Sequence, residues 1–183
     1  LVLLSGSDLP VKSQDEIHEF CDKHYGKEFI SFAPDDMPDR VKYKWLFTKH
    51  LRGLLSSKKW VYRKINRLQA YITYGFVDFQ KRIGIENYAF PLYKKGSNWV
   101  SLTEKAVDVL LEYKNKALCG FRRSNCPDEH YKHTILVCVR DGLLPFPKCV
   151  KEKSLDLSGN DYRYIPWGRG YGRLDLTIDD YDT

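Results

Sequence analysis

The sequence predicts a mixed α/β fold, and three observations carry that expectation. Residues 1–4 (Leu-Val-Leu-Leu) and 29–32 (Phe-Ile-Ser-Phe) are short apolar runs, and a capped helix lies between them. Strand, helix and strand within roughly thirty residues make a βαβ unit. Further on, apolar residues recur at helical spacing in some segments and in short runs in others. With 183 residues, 43% of them hydrophobic, the chain suits one domain spanning residues 1–183 with a sizeable core.

Residues 1–4 read as a buried parallel strand that ends in the loop Ser5-Gly6-Ser7-Asp8-Leu9-Pro10. Ligand loops of open α/β sheets lie at the carboxyl ends of strands, which makes Gly6 and Asp8 candidate binding residues. Ser13 and Glu16 form a capping box, Ile17, Phe20, Cys21 and His24 share one helical face, and Gly26 stops the helix. His24 there reads as a packed histidine. Residues 33–39 are a loop. The run Arg40-Val41-Lys42-Tyr43-Lys44-Trp45-Leu46-Phe47 alternates like a strand with its cations on one side.

The longest helical pattern covers residues 56–82, with Val61, Ile65, Leu68, Ile72, Phe76 and Phe79 on its apolar side and cations gathered at its N-terminal end. The apolar side is expected to pack on the helix's own domain, where a core needs it, with an anionic membrane surface as the alternative. Residues 96–102 (Gly-Ser-Asn-Trp-Val-Ser-Leu) read as a loop entering a strand, and Thr103 caps a helix carrying Val107, Leu110, Leu111 and Tyr113. A Pro- and Lys-rich connection follows Arg140-Asp141-Gly142. Residues 163–167 (Arg-Tyr-Ile-Pro-Trp) read as a strand, and residues 168–173 as a Gly/Arg loop.

Residues 124–136 (Ser-Asn-Cys-Pro-Asp-Glu-His-Tyr-Lys-His-Thr-Ile-Leu) read as a loop turning into a helix. Ser124 or Asn125 can cap, Pro127 suits the first helical position, and Asp128 and Glu129 sit where the helix dipole favours anions. Tyr131, Ile135 and Cys138 can then face a core. Glu129 is a candidate general base if it is partly desolvated at a cleft, since desolvation offsets the acidifying dipole. An acidic first turn is also a common decoration of helices.

A net charge of +6 favours an anionic partner, and 14% aromatic residues supply surfaces for bases or sugars. Five cysteines without a CxxC pair or zinc-like spacing point to reduced thiols and a cytoplasmic setting rather than a metal site. No targeting segment or bilayer-length apolar run is present among the 183 residues. Met37 is the single methionine and the chain opens in mid-strand, which reads as a fragment. Nucleic-acid binding is the competing use of the charge, but no RNP, zinc or helix-turn-helix signature accompanies it, so no nucleic-acid partner is expected.

Several segments in fixed order resemble one family. They are residues 4–13 (Leu-Ser-Gly-Ser-Asp-Leu-Pro-Val-Lys-Ser), 16–17 (Glu-Ile), 26–30 (Gly-Lys-Glu-Phe-Ile), 96–103 (Gly-Ser-Asn-Trp-Val-Ser-Leu-Thr), 126–129 (Cys-Pro-Asp-Glu) with 134–136 (Thr-Ile-Leu), and 163–167 (Arg-Tyr-Ile-Pro-Trp). The chain resembles a bacterial member of the core-2/I-branching β-1,6-N-acetylglucosaminyltransferase family, whose relatives include peptide O-xylosyltransferases. The resemblance implies a GT-A type glycosyltransferase fold, here incomplete at both termini. It implies inverting transfer from a UDP-sugar to a hydroxyl of an acceptor glycan or glycolipid, without metal or other cofactor. It places the catalytic base at Glu129, acceptor contacts at Trp167, Arg40 and Lys42 or Lys44, and donor or diphosphate contacts at Gly6, Asp8, Ser97, Arg169 and Arg173. N-acetylglucosamine is the first expectation for the donor sugar and xylose the second. Asp180-Tyr181-Asp182 spells the Asp-x-Asp of metal-using glycosyltransferases, but it follows the catalytic segment instead of an early strand, so no metal site is expected there. A non-catalytic glycan-binding role is the alternative within the same likeness. Since family members carry more chain on both sides, weak or absent turnover is expected from these 183 residues alone. Peripheral contact with the inner membrane face is a further expectation.

Overall fold

The computed structural model describes residues 1–3, 12–47 and 60–160. In order come α1 (Gln14–Lys23), β1 (Lys27–Phe32), α2 (Asp39–Lys42), α3 (Trp60–Ile83), β2 (Gly96–Ser101), α4 (Glu104–Glu112), α5 (Lys114–Gly120), a 3₁₀ turn (Pro127–Glu129), α6 (Tyr131–Arg140) and β3 (Asp156–Gly159). The strands form one mixed sheet in the order β2-β1-β3, with β1 antiparallel to β2 and parallel to β3. The expected α/β class therefore holds.

The N-terminal capping box is complete. The Ser13 hydroxyl accepts from the Glu16 amide, and the Glu16 carboxylate accepts from the Ser13 amide at 3.0 Å. The packed-histidine expectation also holds: the His24 ring lies tilted against Phe20 at 4.3 Å and 6.0 Å from Phe29. Thr103 caps α4 by accepting from the Ala106 amide. It also ties that cap to β1, donating from its amide and hydroxyl to the wholly buried Glu28 carboxylate at 2.8 and 2.6 Å. Burial pushes the Glu28 carboxyl up, and the Thr103 bonds oppose that shift.

Four expectations fail. Residues 1–3 are not a buried parallel strand. Leu1 and Val2 are exposed, and the segment pairs antiparallel with the outer edge of β2 through Leu3 N–H to Val100 C=O and Leu102 N–H to Leu1 C=O. The run from Arg40 is not a strand at its start. Pro38 and Asp39 favour a helical turn, and α2 drives Val41 into the core, after which the chain extends. Neither Ser124 nor Asn125 caps α6. The chain instead turns left-handed at Cys126 (φ 51°), makes the 3₁₀ turn, and enters α6 at Tyr131.

The fourth failure concerns α3. Among its described side chains the buried ones are Thr73, Val77 and Gln80, whereas Ile65, Leu68, Ile72 and Phe79 are exposed and Phe76 is half-buried. A buried glutamine is tolerable because its amide satisfies the extended backbone at Lys44, donating to the carbonyl at 2.9 Å and accepting from the amide at 3.0 Å. β3 escaped the sequence reading: Asp156–Gly159 is short and mostly polar, and only its pairing with β1 makes it a strand.

At the centre runs α6, buried from Lys132 to Val139. Ile135, Leu136 and Val139 join Ile30, Val100, Leu102, Ala106 and Val109 in the core, so α6 is clasped between the sheet and α4. A short helix buried along its whole length cannot be amphipathic, and it carries Lys132, His133 and Thr134 inward.

Candidate functional site

Three segments converge at the start of α6. The loop through Asp36 leads into α2, residues 94–98 enter β2, and residues 126–132 include the 3₁₀ turn. Hydrogen bonds lock them together. Asp36 accepts from Lys94 Nζ (2.8 Å) and from the Lys95 amide (3.3 Å), while its carbonyl lies 3.2 Å from His130 Nε2. Thr134 Oγ1 accepts from the Lys94 amide at 3.0 Å, and the Asn125 amide donates to the Arg40 carbonyl at 2.8 Å. Met37 and Cys126, one on each side of the junction, hold positive φ (41° and 51°), which non-glycine residues adopt only under constraint.

Glu129 sits in this frame with its side chain one-third exposed. One oxygen, Oε2, accepts from Arg40 Nη1 at 3.1 Å and lies 3.6 Å from Lys95 Nζ. The expected partial burial is present. The expected place in the first turn of the α-helix is not, because Glu129 closes the 3₁₀ turn and His130 stands between it and α6. Two cations on one oxygen hold Oε2 in place. Among the described residues, the side-chain hydrogen bond of Glu129 is made through Oε2, while its amide donates to the Cys126 carbonyl at 3.3 Å.

The structure brings Arg40 to Glu129 but not Lys42. Lys42 pairs with Glu86 at 3.3 Å beside a separate cavity of about 250 Å³, which is also lined by Tyr43, Gln80, Asn87 and Gly120. Tyr43 donates to Glu86 at 3.0 Å, and burial together with that carboxylate pushes its phenol up to about 12. Lys44 is exposed, with its backbone bound to Gln80. Ser97 makes a local contact, its hydroxyl accepting from the Trp99 amide at 3.2 Å. Gly6, Asp8, Trp167, Arg169 and Arg173, the predicted 163–167 strand and Asp180-Tyr181-Asp182 lie outside the described residues. No disulfide joins the five cysteines. Among the described residues no group of three or more His, Cys, Asp or Glu could hold a metal ion, and no helix is long and apolar enough to cross a membrane.

Sequence reasoning passed over Lys95, Lys132 and His133. Lys132 is buried, donating to Asn98 Oδ1 at 2.5 Å and to the Asp128 carbonyl at 3.1 Å, so it staples the 3₁₀ turn to β2. Burial pushes its ammonium down to about 8, which still leaves it charged at neutral pH. His133 Nε2 lies 2.9 Å from the Ser31 carbonyl, and its buried Nδ1 has no hydrogen-bond partner. The signal available in the sequence was cations at the edges of quoted motifs: Lys95 precedes Gly96-Ser97-Asn98, and Lys132 follows Pro127-Asp128-Glu129.

Burial pushes His133 from its ordinary 6.5 down to about 4, with Lys132, His130 and Lys95 adding to that effect. The native state therefore holds it neutral while the unfolded state protonates it below about 6.5, so stability falls as pH drops through that window. The expected loss is about 2 kcal/mol between pH 7 and pH 5. It is checked by denaturant midpoints at both pH values, and the difference should shrink by more than half in His133→Gln.

The model of the Core-2/I-Branching enzyme family matches residues 1–173, nearly the whole chain. The chain belongs to the Core-2/I-Branching enzyme family. Membership makes it a glycosyltransferase, with a nucleotide-sugar donor and a glycan acceptor. No curated protein and no solved structure matches the chain. Within a Core-2/I-Branching enzyme, the junction of α2, β2 and the 3₁₀ turn is where the described residues gather charged side chains around one carboxylate.

Proposed function

We propose that this Core-2/I-Branching enzyme is an inverting, metal-independent glycosyltransferase with a GT-A type fold, its described residues forming part of a single catalytic domain over residues 1–183. It moves a sugar, N-acetylglucosamine before xylose, from a UDP-sugar to a hydroxyl of an acceptor glycan or glycolipid. Glu129 is the general base. The observation that carries this reading is the orientation of Glu129, whose Oε2 is held by Arg40 and Lys95.

The reaction in this reading is a single displacement. The acceptor oxygen attacks the anomeric carbon from the face opposite UDP. As the new C–O bond forms, Glu129 takes the hydroxyl proton, and the bond to the UDP oxygen breaks with both electrons leaving on the diphosphate. A base positioned in this way contributes typically ~10²–10⁴-fold. Arg169 and Arg173 are assigned to the departing diphosphate because bidentate Arg–phosphate bonds are strong and directional. Trp167 is assigned to the apolar face of the acceptor sugar. Gly6, Asp8 and Ser97 are kept on the donor side. The site is placed at the cytoplasmic face of an anionic membrane, where a lipid-linked acceptor would be presented.

A panel of UDP-sugars offered to the complete enzyme, with UDP release as the readout, tests the donor assignment. Release from UDP-N-acetylglucosamine above the other sugars is the expected result, and release from none of them with any glycan acceptor would remove the reading. Arg40 has two candidate jobs, and kinetics separate them. As the clamp on Glu129, Arg40→Ala lowers kcat about tenfold with little change in the acceptor KM, whereas an acceptor contact would raise the acceptor KM and leave kcat near its starting value.

A further inference from the structure

The polarity of α3 is inverted with respect to the domain. At ~100° per residue, Thr73, Val77 and Gln80 fall in one arc that faces the interior. A second arc, about 110° away and about 60° wide, holds Ile65, Leu68, Ile72, Phe79 and Ile83. These five are 42%, 60%, 46%, 55% and 49% exposed. The stripe runs about 27 Å along the helix at 1.5 Å per residue, too long and continuous to be scattered surface leucines. Lys64 and Arg82 stand on one edge of it at opposite ends, both exposed, with Arg67 and Tyr71 beyond them. Asp78 is the only acidic residue in Trp60–Ile83, against five Lys or Arg.

From this arrangement we propose that the outward stripe of α3 docks on an anionic membrane surface. An apolar stripe bordered by cations is the pattern of helices that lie in the lipid interface, with the stripe among the acyl chains and the Lys and Arg heads at the phosphate level. The charge also argues against self-association through this face. In an antiparallel pairing of two stripes, Lys64 of one copy would lie beside Arg82 of the other, like charge against like charge. The proposal deepens the membrane-side part of the reading above, yet its test reads lipid binding and does not depend on sugar transfer.

The full chain is sedimented with vesicles of phosphatidylcholine alone and with vesicles containing about 30 mol% phosphatidylserine. Binding is expected on the anionic vesicles, falling steeply as salt rises from about 0.1 M to about 0.5 M. Leu68→Glu with Phe79→Glu should lower the partition coefficient at least about tenfold while the thermal transition stays in place, because both side chains already face outward. Lys64→Gln with Arg82→Gln should lower it several-fold and flatten the salt dependence. Three results overturn the proposal. They are no preference for anionic over neutral vesicles, a stripe variant that melts well below the parent because the stripe is covered by the chain's own residues, and a parent dimer that the stripe variant converts to monomer.

Discussion

Glu129→Gln in the complete enzyme is expected to lose turnover about 10²- to 10⁴-fold while acceptor binding changes by no more than a few-fold. The substitution keeps the shape of the side chain and removes its capacity to take a proton. Its structural cost should be small. The carboxylate is one-third exposed, so solvent screens its partly buried pairs with Arg40 and Lys95 to on the order of 1 kcal/mol, and the glutamine oxygen can still accept from Arg40. The measurement is kcat by UDP release together with acceptor affinity by calorimetry, with the melting temperature as control. Retention of more than a tenth of the turnover would exclude Glu129 as the base and leave its ion pairs a structural feature of the junction. Loss of acceptor binding with turnover per bound acceptor unchanged would place Glu129 in recognition instead.

Gly96→Ala should be the most destabilising single methyl addition among the described glycines. A Cβ at this position would lie 2.0 Å from the Ser31 carbonyl oxygen and 2.2 Å from His133 Nε2. Neither neighbour can move aside. Ser31 is backbone of β1, the central strand, and His133 is wholly buried in α6. The new methyl would separate the two atoms that now bond at 2.9 Å. Overpacking a core ordinarily costs about 1–3 kcal/mol, and parting a buried hydrogen bond adds about 1–3 kcal/mol, so a loss near 4 kcal/mol is expected. Because Gly96 follows Lys95, the displacement would also reach Glu129. Denaturant unfolding of the parent and the variant tests this, and a loss below about 1 kcal/mol would show that β2 can shift freely against α6. Gly142→Ala is a useful contrast: no neighbour lies within reach of a Cβ there, although the positive φ of 72° strains any side chain.

Much of the fold was readable from neighbours in sequence. The Ser13–Glu16 box, the Thr103 cap, the apolar run at β1 and the stop at Gly26 depend on groups within a few residues of one another, and each stands as expected. The family likeness was readable for a related reason, since it rests on short motifs in fixed order, and the family match covers the same span. The failures fall where burial decides. Residues 1–3 are apolar enough for a central strand, yet they pair at the outer edge of β2. The apolar stripe of α3 suggested the packed face, but the extended segment at Lys44 needed hydrogen bonds that Gln80 supplied, and so the polar face turned inward.

The candidate site divides in the same way. Sequence singled out Glu129 because a motif surrounds it, and Arg40 because a family likeness points to it. It could not see Lys95, which lies in another motif, nor that Lys42, two residues from Arg40, serves Glu86 instead. A capped turn is fixed by torsion and by hydrogen bonds closed over three or four residues, so local sequence is enough to specify it. Which cation meets a carboxylate 89 residues away, and which face of a helix is hidden, depend on the sheet pairing and on the burial of α6, and those are properties of the assembled chain.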